Sequence, residues 1–196
     1  MNKISFEQFW EGLNDTEKGI IAYYREWLPK IDPQLILEVG SGWGLFSRSA
    51  MEFTTGRVVT LDKIGGYGLD RFMKHTAGFE DRIERIVEDS HHLLPANEEK
   101  WREKFDFIFV DADHTQDGAA KDISFSWPML KPGGWFMVDD VFHKLNWDPD
   151  PGNPSGFNFG VTKALWGFIS AHGSEFESPA QILPIGHGIV IVQKKK

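Results

Sequence analysis

The chain is 196 residues long, 41% of them hydrophobic and 26% charged, with a formal net charge of −8. This length favours one domain with a sizeable core, and the negative charge argues against nucleic acid as a partner. The absence of cysteine excludes disulfides and thiolate metal sites and fits a cytoplasmic protein.

The first thirty residues predict helix and not a targeting signal. Residues 1–18 carry charges throughout and lack the apolar stretch of a signal peptide. No run of about 18 apolar residues could span a bilayer, so we expect no membrane partner. Asn14 and Glu17 have capping-box spacing, and the apolar residues that follow share one helical face: Ile20, Ile21, Tyr24, Trp27 and Leu28. We expect residues 1–30 to form a helical extension, either a lid or the contact of a homodimer.

Residues 31–196 alternate short apolar runs with amphipathic stretches. The apolar runs predict strands at LILEVG (35–40), RVVTLD (57–62), RIERIVED (82–89), FDFIFVDA (105–112) and WFMVDDV (135–141). Helix-compatible segments lie between them near 43–53, 65–77, 91–102 and 115–130, and LKPGG (130–134) predicts a tight turn with Gly133 at positive φ. Strands that alternate with helices indicate a parallel sheet.

The C-terminal part departs from this alternation. After a helix near 160–172, AQILPIG and GIVIVQK flank His187 and Gly188, which predicts an antiparallel hairpin. The whole is therefore an α/β protein, a three-layer Rossmann-like sandwich with a mostly parallel sheet of about seven strands.

Acidic residues follow the predicted strands at their carboxyl ends, where ligands bind in such sheets. They are Glu38, Asp62, Glu88 with Asp89, Asp111 with Asp113, and Asp139 with Asp140. One or two could cap helices, but five strand ends in a row predict a site with a negative lining.

The turn after the first strand, GSGWG, contains Gly40, Gly42 and Gly44, which allow a ligand to approach the backbone closely. Its G-x-G-x-G spacing is one residue shorter than the dinucleotide fingerprint. Glu38 precedes the turn, where it would repel phosphate and attract an amine or a sulfonium. Asp62, about twenty residues beyond, is placed to accept hydrogen bonds from ribose hydroxyls.

Two further stretches leave alternatives open. Asp89 and Ser90 could bond the edge of an adenine or simply cap the helix that follows. In FVDADH, Asp113 has capping-box spacing to Gln116, so we assign it to the start of the next helix.

Taken together, these motifs resemble class I S-adenosylmethionine-dependent methyltransferases, from about Leu35 to Val141. FDFIFVDADHTQDGAAKDISFSWPMLKPGGWFMVDDV is similar to metal-dependent O-methyltransferases of small molecules, of the catechol and natural-product types. There, an aspartate ends strand four, an acidic pair or Asp-Asn ends strand five, and together they hold a divalent cation. A basic residue three positions after the first aspartate can serve as base.

The resemblance implies roles for residues of this chain. The ligands of Mg²⁺ or another divalent cation would be Asp111, Asp139 and Asp140, with His114 as base and His143 in reserve. S-adenosyl-L-methionine would contact Glu38, Gly40, Ser41, Gly42, Gly44, Asp62, Asp89, Ser90 and Asp111. The catechol type has Asn at position 140 and Lys at position 114, which argues against a catechol acceptor.

The resulting prediction is methyl transfer to a hydroxyl of a small molecule by a domain at 31–196. Segment 143–160 is either a substrate loop, with Trp147 and Phe157 as walls, or a surface excursion. One alternative is a metal-independent or non-catalytic S-adenosylmethionine-binding domain. An NAD(P)-dependent oxidoreductase is less favoured because the residues four positions after Tyr23, Tyr24 and Tyr67 include no Lys.

Overall fold

The structure is a computed structural model that describes residues 4–63, 68–142 and 159–196. The helices are α1 (Phe6–Glu11), α2 (Asp15–Ile31), α3 (Leu45–Phe53), α4 (Leu69–Thr76), α5 (Ser90–Trp101), α6 (Gln116–Ser126) and α7 (Gly160–His172). The strands are β1 (Leu35–Val39), β2 (Arg57–Asp62), β3 (Ile83–Val87), β4 (Phe105–Val110), β5 (Leu130–Val138), β6 (Gln181–Leu183) and β7 (Ile189–Gln193). Tyr67, His143, Trp147 and Phe157 lie outside the described residues.

The strands form one seven-stranded sheet in the order β3-β2-β1-β4-β5-β7-β6. β1 to β5 are parallel, and β7 runs antiparallel between β5 and β6. This confirms the predicted sandwich and its C-terminal hairpin. Backbone hydrogen bonds continue past the strand ends: the N–H of Asp111 donates to Val39 O (2.8 Å), and the N–H of Asp139 donates to Val110 O (3.0 Å). The residues that follow β1, β4 and β5 are therefore held side by side at one edge of the sheet.

Each face of the sheet carries its own hydrophobic core, because successive strand residues point to opposite faces. On one face, Ile108 and Phe136 pack with α5, α6 and α7. On the other, Ile36 and Phe107 pack with α1, α2 and α3, and the helices contribute Phe9, Ile21, Tyr24, Leu28 and Phe46. The N-terminal helices therefore form part of the main core. No helix among the described residues is long and apolar enough to cross a membrane.

Local elements agree with the sequence in most places. The predicted capping box starts α2, since Asn14 and Glu17 each accept a backbone N–H from the other. LKPGG, predicted as a separate turn, instead lies within β5. Gly133 does take positive φ (+78°), but its N–H donates to Lys194 O at 3.0 Å, which keeps the segment in the sheet. The irregularity appears as a register shift against β4 between Phe105 and Phe107.

Candidate active site

The glycine-rich turn after β1 lies directly against the end of β4. Gly40 has φ +96°, and a Cβ at this position would lie 2.0 Å from the carbonyl oxygen of Asp111. Any side chain here would collide with backbone, so glycine is required. Two cavities open on either side of this contact.

The smaller cavity, of about 190 Å³, lies over the ends of β2 and β3. It is lined by Gly40, Gly42, Leu61, Asp62, Lys63, Glu88, Ser90, His91, Asp111, Ala112 and Asp113. Oδ2 of Asp62 accepts hydrogen bonds from Ser41 Oγ (3.1 Å) and Gly42 N (3.0 Å). The acid that ends β2 thus holds the glycine-rich turn in place.

Asp89 and Ser90, at the end of β3, could by sequence either bind an adenine or cap α5, and the structure gives them different contacts. Asp89 is the N-cap of α5 and accepts the N–H of His91 at 2.9 Å, and it does not line the smaller cavity. Ser90 does line it, and its Oγ donates to Oδ1 of Asp122 at 2.6 Å.

Asp122, which sequence reasoning missed, is fully buried beneath the smaller cavity. Besides Ser90, its carboxylate accepts the N–H of Asp113 at 3.4 Å and lies 3.4 Å from Nε2 of His91. Burial raises the pKa of Asp122. Nothing in the sequence distinguishes Asp122 from the exposed acids of an ordinary helix, because its partners are brought together only by packing of α5 on α6.

The larger cavity, of about 600 Å³, lies between the N-terminal half of α2, the glycine-rich turn and the ends of β4 and β5. Its lining comprises Asn14, Thr16, Glu17, Ile20, Tyr24, Glu38, Gly40, Ser41, Gly42, Trp43, Leu45, Phe46, Phe109, Asp111, Ala112, His114, Asp139, Asp140, Gly186 and His187. Five of these residues are acidic, and no Lys or Arg of the described part of the chain is among them.

Glu38 lies at the base of this cavity and is 1% exposed. Its carboxylate accepts a hydrogen bond from Ser47 Oγ. Burial raises the pKa of Glu38 to about 8, and the Ser47 bond counters part of that effect. The folded protein therefore favours the protonated form of this carboxyl group, and a positive group beside it would favour the ionised form.

Three side chains meet at the ends of β4 and β5. Nε2 of His114 lies 3.3 Å from Oδ1 of Asp111 and 3.3 Å from Oδ2 of Asp140. One ligand atom from each of these residues falls within 4.8 Å of the others, a spacing that suits a shared metal ion. Asp139 is not in this group; it is 8% exposed, and its Oδ1 accepts the N–H of Asp140 at 2.7 Å.

The charges of this cluster act on one another. Burial raises the pKa of Asp139 well above its ordinary value, and the neighbouring Asp111 and Asp140 raise it further. Burial also raises the pKa of Asp111. For His114, burial acts to lower the pKa, but the bond to Asp111 and the charges of Asp111 and Asp140 raise it overall. Crowded carboxylates of this kind favour a cation.

Asp113 does not start α6, so its assignment as the helix cap was wrong. The N-cap is Thr115, whose Oγ accepts the N–H of Gly118 at 3.1 Å. Oδ1 of Asp113 instead accepts the N–H of Thr115 at 2.8 Å, a local turn that precedes the helix. α6 therefore begins at Gln116, two residues later than a cap at Asp113 would place it.

His187, in the turn between β6 and β7, is a second residue that the sequence analysis gave no role. Its Nδ1 lies 3.1 Å from Oδ1 of Asp140. No local motif signals this contact, because 47 residues separate the two side chains along the chain.

A comparison with family models matches residues 37–141 to the family described as "Methyltransferase domain". No curated protein sequence matches the chain. Among solved structures, the O-methyltransferase from Bacillus cereus in complex with SAH is 20% identical, and the match covers 93% of this chain and 82% of that one, with a TM-score of 0.70.

Two further structures have the same fold. TomG, the O-methyltransferase from Streptomyces achromogenes involved in tomaymycin synthesis, in complex with SAM, is 18% identical over 90% of this chain and 80% of its own, with a TM-score of 0.69. MycE, from the mycinamycin biosynthetic pathway, in complex with Mg and SAH, is 20% identical over 89% of this chain, with a TM-score of 0.63. This chain covers 49% of the MycE chain.

Proposed function

The chain belongs to the family described as "Methyltransferase domain", and from that premise we propose that it methylates a hydroxyl group of a small molecule, using S-adenosylmethionine and a divalent cation. The observation that carries the proposal is the meeting of Asp111, His114 and Asp140 in a cavity that also contains the glycine-rich turn. A donor site and a polar site for an acceptor are thereby adjacent.

The donor, S-adenosylmethionine, supplies a methyl group already activated as a sulfonium. Asp62 would accept hydrogen bonds from its ribose, and the smaller cavity with Ser90 would take its adenine. The cofactor would lie on the backbone of the glycine-rich turn, formed by Gly40, Ser41, Gly42 and Gly44. Asp89 would support the adenine site indirectly, as the N-cap of α5. Glu38 would face the amino group, whose positive charge favours the ionised carboxylate. The SAH and SAM of the Bacillus and Streptomyces neighbours support this assignment.

The donor set of the acidic cluster fits a hard cation such as Mg²⁺, which prefers carboxylate oxygens. Asp111 and Asp140 would be its principal ligands, and Asp139 would add a third carboxylate from the same wall of the cavity. A bound cation would orient the oxygen atoms of the acceptor and lower the pKa of its hydroxyl. The crowding that raises the pKa of Asp139 supports the assignment, as does the Mg named with MycE.

His114 is the proposed base. Because Nε2 donates to the carboxylates of Asp111 and Asp140, the other ring nitrogen, Nδ1, would take the hydroxyl proton of the acceptor, and the two carboxylates would stabilise the imidazolium that forms. The acceptor itself would be a hydroxylated small molecule, since the larger cavity has about 600 Å³ for it and for the end of the donor. The N-terminal half of α2 would act as the lid over this space, because Asn14, Glu17 and Ile20 form one of its walls.

Calorimetric titration with S-adenosylmethionine and SAH, with Mg²⁺ or with EDTA, tests the donor half. Both ligands should bind in either condition, and failure of both to bind would exclude methyl transfer from this donor. Methylation assays on polyphenols, hydroxylated macrolides and sugars then test the acceptor half, with product detected by mass spectrometry.

The variant Asp140→Ala tests the metal half. It should bind SAH as the unmodified protein does and lose about 100-fold or more in Mg²⁺-dependent methylation, since even outer-shell partners of metal sites are worth about 10- to 100-fold. Asp117→Ala is the matched control, an exposed aspartate on α6 outside both cavities. Activity that is indifferent to EDTA would leave a metal-independent methyltransferase as the better interpretation.

A further inference from the structure

The turn between β6 and β7 reaches the acidic cluster from outside the parallel part of the sheet. It presents His187 between Gly186 and Gly188, which have φ values of +61° and +92°. Nδ1 of His187 lies 3.1 Å from Oδ1 of Asp140. A carboxylate can only accept, so the ring nitrogen donates in this contact.

The same turn also fixes the backbone around Asp140. The N–H of Val141 donates to Gly188 O at 3.0 Å, and the N–H of Phe142 donates to His187 O at 2.6 Å. Asp140 itself has φ +56°, a left-handed conformation that costs a non-glycine residue about 1 kcal/mol or more. A conformation of that cost persists only where the surroundings hold it, and here one turn supplies two backbone bonds and one side-chain bond.

The two oxygens of Asp140 therefore face different partners. Oδ1 points to His187, and Oδ2 lies 3.3 Å from His114 in the group that includes Asp111. Rotation of the carboxylate would exchange these positions, and the bond to His187 opposes it. Of the two imidazoles on Asp140, His187 is the outer one, with a side chain 57% exposed.

We propose that His187 is a positioning residue for cation binding, which acts by holding the Asp140 carboxylate in the orientation that turns Oδ2 toward Asp111. The inference rests on the proposed divalent-cation site and adds to it a residue of the C-terminal hairpin. Outer-shell hydrogen bonds of this kind typically change metal affinity by about 10- to 100-fold. His187 is expected to act on the cation through Asp140, without coordinating it.

Binding of Mn²⁺ to the full chain, followed by calorimetry and by electron paramagnetic resonance in the absence of acceptor, measures this directly. His187→Ala should weaken Mn²⁺ binding by about 10-fold or more. His187→Asn should restore most of the affinity, because the amide nitrogen of Asn can take the place of Nδ1 as donor. His92→Ala, which removes an exposed imidazole on α5 outside both cavities, should leave Mn²⁺ affinity unchanged.

Two results would overturn the inference. Equal Mn²⁺ affinity of His187→Ala and the unmodified protein would show that Asp140 needs no such support. A directly coordinated nitrogen in the Mn²⁺ spin-echo spectrum that disappears in His187→Asn would make His187 a ligand. If the unmodified protein binds SAH but no Mn²⁺, the metal half of the proposed function fails together with this inference, whereas loss confined to His187→Ala supports both.

Discussion

Replacing Glu38 by Gln should make the ligand-free protein more stable at neutral pH. The carboxyl group of Glu38 is buried, and burial raises its pKa from 4.5 to about 8. In the unfolded chain the same group ionises near its ordinary pKa. Between these two values the folded state therefore binds the additional proton, and the free energy of unfolding falls as pH rises.

The size of this effect follows from the two pKa values. From 4.5 to pH 7 is about 2.5 pH units, and each unit corresponds to about 1.36 kcal/mol, so folding at pH 7 bears a cost of about 3 kcal/mol. The cost is absent below pH 4.5, continues to grow up to about pH 8, and is then constant. Gln does not ionise, and its amide oxygen can still accept the hydrogen bond from Ser47.

Urea unfolding of both proteins between pH 5 and pH 9, without donor or cation, tests the reasoning. The stability of the unmodified protein should decline relative to Glu38→Gln by about 3 kcal/mol between acid pH and pH 7. Glu99→Gln, on the exposed face of α5, is the control and should follow the unmodified protein. Parallel profiles for the unmodified protein and Glu38→Gln would refute a protonated Glu38 in the folded state.

Two further predictions concern the floor of the site. In urea titrations, Gly40→Ala should lower the free energy of unfolding by about 3 kcal/mol or more, since its Cβ would lie 2.0 Å from Asp111 O. Gly42→Ala is the control: no atom lies within 4 Å of the added Cβ, so the free energy of unfolding should fall by only about 1 to 2 kcal/mol. Equal costs would contradict the close contact. Asp122→Ala should weaken SAH binding about tenfold in calorimetric titrations, because Ser90 Oγ and the N–H of Asp113 lose their shared acceptor. Unchanged affinity would mean that the smaller cavity keeps its shape without Asp122.

The sequence predicted the sheet because each strand is a short apolar run with a clear end. The same runs located Asp111, Asp139 and Asp140, since the carboxyl ends of neighbouring parallel strands meet at one edge. A helix was also predicted near 160–172, where α7 (Gly160–His172) lies. These features follow from local sequence and from the general geometry of parallel sheets.

The features that were missed depend on distant parts of the chain. His187 is 47 residues from Asp140 and reaches it only because β7 inserts between β5 and β6. Asp122 resembles any helix acid until α5 packs on α6 and brings Ser90 to it. The LKPGG error has the same origin, since the bond from Gly133 to Lys194 converts a turn sequence into strand.

The bonds that continue past the strand ends bear on how the substrate range of such a protein can change. The N–H of Asp111 donates to Val39 O and the N–H of Asp139 donates to Val110 O, on the strands β1 and β4 in the middle of the sheet. The reactive groups are thus carried by the least adaptable part of the chain, since a register slip would turn them to the opposite face. Thr16 and Ile20, by contrast, line the larger cavity from α2, where Thr16 is exposed and Ile20 is half-buried. For the proposed methyl transfer, substitutions there would reshape the space for an acceptor while Asp111 and Asp139 stay in place, which makes α2 the place to redesign specificity.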